Sequence, residues 1–200
     1  MSPPANTLEE RLQVWLSGWL SKQRLPTNFQ VLPLAGDGSP RPFYRIKISD
    51  KSFVLLSEPE WILSKDYPAH QAYLHKNGLP VPEFLAVDPK IGALLMEDMG
   101  DELLQTRLLA RPDQRGLWLE KAVGLVAKMH GSTYPVDPAI PAATRSFDAK
   151  KYQEELAFTL EHLHTKLLKG GAIDPKLHKQ IASFCEELGK LSPKVFCLLS

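Results

Sequence analysis

The feature that most constrains this chain is a change of texture near Gly100. Between Phe29 and Asp98 the apolar residues come in short β-rich runs, and beyond Gly100 they recur at helical spacing. Strands first and helices afterwards is the pattern of an α+β protein with a segregated antiparallel sheet, not of alternating βα units around a parallel one.

The runs Phe29–Leu34, Pro42–Ile48 and Ser52–Ser57 are separated by Gly36-Asp37-Gly38-Ser39 and by Ser49-Asp50-Lys51, so they read as an antiparallel meander. Two further strands, Glu83–Asp88 and Ala93–Asp98, flank the Asp88-Pro89-Lys90 turn. A helix from about Trp61 to Lys76, stopped by Asn77-Gly78, is predicted between the two groups. Ahead of the sheet, Thr7 and Glu10 form a T-x-x-E capping box. Leu8, Leu12, Trp15, Leu16, Trp19 and Leu20 then share one helical face, and Pro26 closes the element.

After Gly100, helices are predicted over Asp101–Leu109 and Asp113–His130, the second ending at Gly131. Tyr152, Leu156, Leu160, Leu163 and Leu167 mark a long amphipathic helix stopped by Gly170-Gly171. Leu177, Ile181, Phe184, Cys185 and Leu188 mark another, and Lys194–Leu199 is an apolar strand at the end of the sequence. The expected organisation is an N-terminal helix over 1–27, a sheet lobe over 28–99 and a helical lobe over 100–200, with a cleft at the junction.

Composition narrows the function. With 24 Lys plus Arg against 23 Asp plus Glu there is no basic surplus for a phosphate backbone, which argues against nucleic acid. No apolar run approaches the roughly 18 residues of a membrane span. The N-terminus lacks the basic and apolar regions of a signal peptide, and the 2 cysteines, Cys185 and Cys197, read as reduced core residues. A cytoplasmic location is the expectation.

Two segments carry candidate chemistry. Gly36 and Gly38 let a hairpin backbone approach a ligand, and successive amides there can cradle a phosphate, although Asp-Gly between strands also makes an ordinary turn. Leu94–Asp101 is an apolar strand running into an acidic turn; it is either a solvated strand end or, at a crossover between lobes, backbone able to bind a purine edge. The 6 histidines read as surface or helix-end residues, with His130 suited to a helix C-terminus. Neither HExxH nor GxSxG occurs.

Taken together these segments resemble the aminoglycoside phosphotransferase and choline kinase superfamily, and within it the bacterial N-acetylmuramate/N-acetylglucosamine sugar kinases. The likeness rests on Leu34–Ser39 with Tyr44-Arg45, on Gly78-Leu79-Pro80-Val81-Pro82, on Leu94–Asp101, and on Phe147-Asp148 with Glu154-Glu155-Leu156. It implies a protein-kinase-like fold with a five-stranded N-lobe sheet and one helix, then a helical C-lobe. It implies ATP with Mg²⁺ as cofactor and a small hydroxylated acceptor as partner. Gly36, Asp37, Gly38 and Ser39 would cover the ATP phosphates, Met96, Glu97 and Asp98 would meet adenine through their backbone, and Arg45, Lys47 or Lys51 would supply the positive charge of the family's missing strand lysine.

The sequence departs from that family at three places. The third strand, Ser52–Ser57, carries no lysine, and the following helix has Ala69-His70-Gln71 where a central glutamate stands in many relatives. Beyond Val195-Phe196-Cys197 the sequence reads Leu198-Leu199-Ser200, where the family has its catalytic loop. No catalytic residue and no Mg²⁺ ligand can therefore be named. The resulting expectation is an ATP-dependent phosphotransferase truncated before its catalytic loop, as a fragment or a frameshifted product. The alternatives are an inactive nucleotide-binding or partner-binding pseudokinase module, and an interaction domain without a ligand.

Overall fold

A computed structural model describes residues 8–34, 41–59, 65–133, 135, 137–144, 147–171 and 174–191. The chain packs as two units, residues 1–134 and 135–200.

The first unit is built on a five-stranded antiparallel sheet of order β1-β2-β3-β5-β4. Its strands are β1 (Gln30–Leu34), β2 (Phe43–Ile48), β3 (Lys51–Ser57), β4 (Phe84–Asp88) and β5 (Ala93–Glu97). All five lie within two residues of the runs expected from alternation and turn chemistry. The first three form the expected meander, and the last two are inserted in reverse, so that β5 rather than β4 pairs with β3.

Helix α1 (Glu10–Lys22) covers one face of this sheet. Leu12, Leu16 and Leu20 recur every fourth residue and are 0–1% exposed, meeting Val31, Ile46, Ile48, Leu55, Ala93 and Leu95. Trp19 stands edge-on to Phe53, ring centroids 5.5 Å apart. The capping box is not used. The helix starts at Glu10 with Glu9 at its N-cap, whose side chain caps nothing and instead pairs with Arg11 at 2.7 Å; Thr7 lies outside the described residues.

Helix α2 (Tyr67–Lys76) is shorter than the Trp61–Lys76 expected, residues 60–64 lying outside the described set. It ends at Asn77, and Gly78 follows at φ +69, the left-handed conformation in which a helix stop favours glycine. Gly92 has a stricter task. At φ +65, a Cβ there would sit 1.8 Å from the Glu58 carbonyl oxygen, because the β4–β5 turn closes onto the end of β3.

Helices α3 (Leu104–Ala110) and α4 (Arg115–Thr133) complete the unit, joined by a short 3-10 turn. The expected stop at Gly131 is corrected: α4 runs on to Thr133. There the Thr133 hydroxyl donates to the Met129 carbonyl at 2.6 Å, and Tyr73 of α2 donates to the Thr133 carbonyl at 3.1 Å. The bond from Tyr73 ties this last turn to α2 despite the modest cost of a glycine inside the helix.

In the second unit α5 (Ala149–Thr159) is capped by Asp148, which accepts the Lys151 N–H at 2.9 Å. Its continuation, Leu160–Leu167, is wound as π-helix, where sequence spacing predicts uninterrupted α-helix. Helix α6 (Pro175–Leu191) packs along α5 and buries Cys185. The apolar run Lys194–Leu199, with Cys197, lies outside the described residues.

Candidate functional site

The register of the central strands explains how one charged cluster forms. Arg45 of β2 lies opposite Val54 of β3, and Val54 opposite Met96 of β5, so all three project from one face of the sheet. That face is opposite to the one α1 covers, since Ile46, Leu55 and Leu95 alternate with them. Arg45 is long enough to cross β3 and reach the segment that follows β5.

It meets two carboxylates there. Its Nε donates to Asp98 Oδ2 at 2.6 Å and its Nη2 to Asp98 Oδ1 at 3.0 Å, a two-pronged pair. Its Nη1 donates to both oxygens of Asp101, at 2.8 and 2.6 Å. The inner pair is closed off from solvent, with side-chain exposures of 11% for Arg45 and 5% for Asp98, while Asp101 is 79% exposed. Asp98 Oδ1 also accepts the Gly100 N–H at 2.9 Å, which closes a turn onto Gly100 at φ +82.

The Arg45 hydrogen bonds hold the Asp98 carboxyl down to about 2. Burial works against them, and the Ser52 hydroxyl and the Gly100 N–H reinforce them. Asp98 and then Asp101 in turn raise the Arg45 guanidinium above its ordinary value. Arg45 and Asp98 are therefore both ionised throughout the neutral range.

The sequence candidates are distributed as follows. Met96 is half-buried on the Arg45 face at the end of β5. Glu97 is exposed and fixed at the end of the interior strand β5: its N–H donates to the Glu83 carbonyl at 2.9 Å, and its carboxylate accepts the Glu83 N–H at 3.2 Å. Asp98 and Arg45 are joined directly. Gly36, Asp37, Gly38 and Ser39 lie outside the described residues. A polar groove of about 500 Å³ between α1 and β1, bordered by Gln13, Asn28 and Gln30, contains none of these residues.

Sequence reasoning missed Asp101 as a partner of Arg45, and it missed the role of Gly92. Residues 45 and 101 are too far apart in the chain for spacing to connect them. For Gly92, a glycine shortly after Asp88-Pro89-Lys90 was a usable turn signal. Among the described residues no group of three His, Cys, Asp or Glu side chains could hold a metal ion. No helix among them is long and apolar enough to cross a membrane.

No family model matches the chain. It is 24% identical over 141 residues to an N-acetylmuramate/N-acetylglucosamine kinase of Caulobacter vibrioides, a match covering 52% of this chain and 39% of that protein. The chain thus spans about two fifths of that relative's length, and the similarity supports a distant, kinase-like relationship for an α+β protein built on a five-stranded antiparallel sheet.

Proposed function

We propose that this chain is the nucleotide-binding part of an ATP-dependent phosphotransferase acting on a sugar-like hydroxyl acceptor. The observation that carries the reading is the face of the sheet turned away from α1. There Val54 and Met96 offer half-buried apolar surface that leads directly into the backbone of residues 97–100. An apolar wall beside a strand end whose path is fixed suits a flat heteroaromatic base, which needs contact on its faces and a few backbone hydrogen bonds at its edge. The distant relationship to a sugar kinase supports the same reading and is the reason for naming a sugar-like acceptor.

In this reading the glycine-bearing segment Gly36–Ser39 receives the phosphates, because it connects β1 to β2 at the sheet end where Leu34 pairs with Phe43. The Mg²⁺ that the resemblance implies has no fitting set of ligands among the described residues. Asp98 and Asp101 are already engaged by the Arg45 guanidinium. What these residues do is bind and orient the nucleotide, and the transfer step itself is not assigned to them.

Calorimetric titration of the chain with ATP, ADP and adenosine tests the proposal. Saturable binding of all three at micromolar to low millimolar concentration supports it. Absence of binding at several millimolar ATP overturns it and leaves an interaction domain without a nucleotide. Binding without phosphorylation of N-acetylhexosamines in the same preparation identifies a non-catalytic nucleotide-binding module.

A further inference from the structure

We propose that Arg45 is a positioning residue: it clamps the backbone of residues 97–101 to the middle of the sheet, and so sets the surface that reads the base rather than touching the phosphates. This rests on the nucleotide-binding reading above and refines it.

The geometry carries the inference. All four hydrogen bonds described for the guanidinium go to Asp98 and Asp101. A planar fork filled by carboxylates on both sides has little capacity left for an anion. Asp98 passes the constraint on, because the oxygen that accepts from Arg45 Nη2 also accepts the Gly100 N–H. One side chain therefore dictates the path of the chain from the end of β5 through the turn at Gly100.

The environment is that of a constraint as much as of a stabilising contact. Enclosing an ion pair costs desolvation that its attraction barely offsets, and the return is a unique geometry. The two arms differ in kind. The Asp98 arm is largely shut away from water; the Asp101 arm is exposed and screened, so it can be weakened without emptying the interior.

The test compares wild type with Arg45→Met, Arg45→Lys and Asp101→Asn, using two readouts. Hydrogen exchange at residues 97–101 reports the clamp in the absence of any ligand. Dissociation constants for adenosine, ADP and ATP report its effect on binding. Arg45→Met is expected to speed exchange at Gly100 about tenfold, the equivalent of about 1.4 kcal/mol of lost hydrogen bonding. It should also weaken all three nucleotides by a similar factor, because the damage lies at the base end. Arg45→Lys should restore neither, since an ammonium cannot fork two carboxylates.

Exchange at 97–101 that is unchanged in Arg45→Met overturns the proposal. So does a loss confined to ATP and ADP with adenosine unaffected, which would make Arg45 a phosphate ligand. A wild-type chain that binds no nucleotide sinks the functional reading alone, and the exchange comparison still decides the clamp. Should Arg45→Met fail to fold, Asp101→Asn alters only the exposed arm. It is expected to raise exchange at Gly100 about threefold, and no change there counts against the clamp.

Discussion

Helices α1 and α4 are both long and rich in apolar residues, yet the structure treats them differently. In α1, Leu12, Leu16 and Leu20 are sealed against the sheet, and only Val14 among its large aliphatic residues stands well exposed, at 67%. In α4, Leu117, Leu119, Val123, Leu125 and Val126 are all at least 41% exposed, and the one buried residue is Thr133. Helix α1 is fixed by burial along its length. Among the described contacts, α4 is held to the sheet-bearing part of its unit by polar bonds, from Lys128 to the Gly78 carbonyl and from Tyr73 to Thr133. The difference teaches that the sheet with α1 is a closed core, whereas helical periodicity in α4 says nothing about what covers the face it predicts.

Substitutions can break that comparison. The largest effect is expected from Gly92→Ala, where a methyl group would collide with the Glu58 backbone at a left-handed position. A loss of about 4 kcal/mol, or failure to fold, should appear in denaturant titration. Leu16→Ala comes next, at about 3 kcal/mol, because a fully enclosed leucine leaves a cavity. If the closed core were an illusion, this variant would unfold at the same denaturant concentration as wild type.

The third test uses acid. The folded Asp98 carboxyl titrates at about 2, below its ordinary value, so the stability it contributes is fully present above about pH 4 and fades as pH falls towards 2. The span is worth about 2 kcal/mol at most. Asp98→Asn should remove that part of the acid slope, which parallel denaturant midpoints at pH 5 and pH 2.5 would reveal. Smallest of all, Val123→Ser in α4 should change stability by no more than about 0.5 kcal/mol, since the side chain is 67% exposed. A loss near that of Leu16→Ala would mean that α4 is buried in solution and the contrast is false.

The strands were legible because β-branched and aromatic runs bounded by turn residues leave few alternatives. Pro42–Ile48 was expected and Phe43–Ile48 is found. The leucine stripe of α1 was equally plain, and its start was not. Thr7 and Glu10 have the right spacing for a reciprocal cap, but the helix begins at Glu10 with Glu9 at its N-cap. The π-wound stretch Leu160–Leu167 was hidden because its apolar spacing is compatible with ordinary helix; only the packing of the His164 ring against Gly170 marks the place.

Part of the candidate site was read and part was not. Met96, Glu97 and Asp98 were named because Leu94–Asp101 resembles a kinase hinge, and Arg45 as one of three candidates for the charge of a missing strand lysine. That Arg45 and Asp98 are partners is a matter of sheet register, set by β5 lying next to β3. Nothing within a few residues of Arg45 encodes it.

The placement of β5 also has a kinetic side. The β1–β2 and β2–β3 hairpins are local and can form early, but β3 stays an open edge until the whole stretch from 58 to 92 has folded back and laid β5 against it. Strand β4 cannot join before that, because its neighbour is β5. A nascent or clipped chain that stops short of Glu97 would therefore display the unpaired edge of Phe53–Ser57, an apolar template for pairing with another copy. The residues that complete the sheet also protect it from self-association during synthesis.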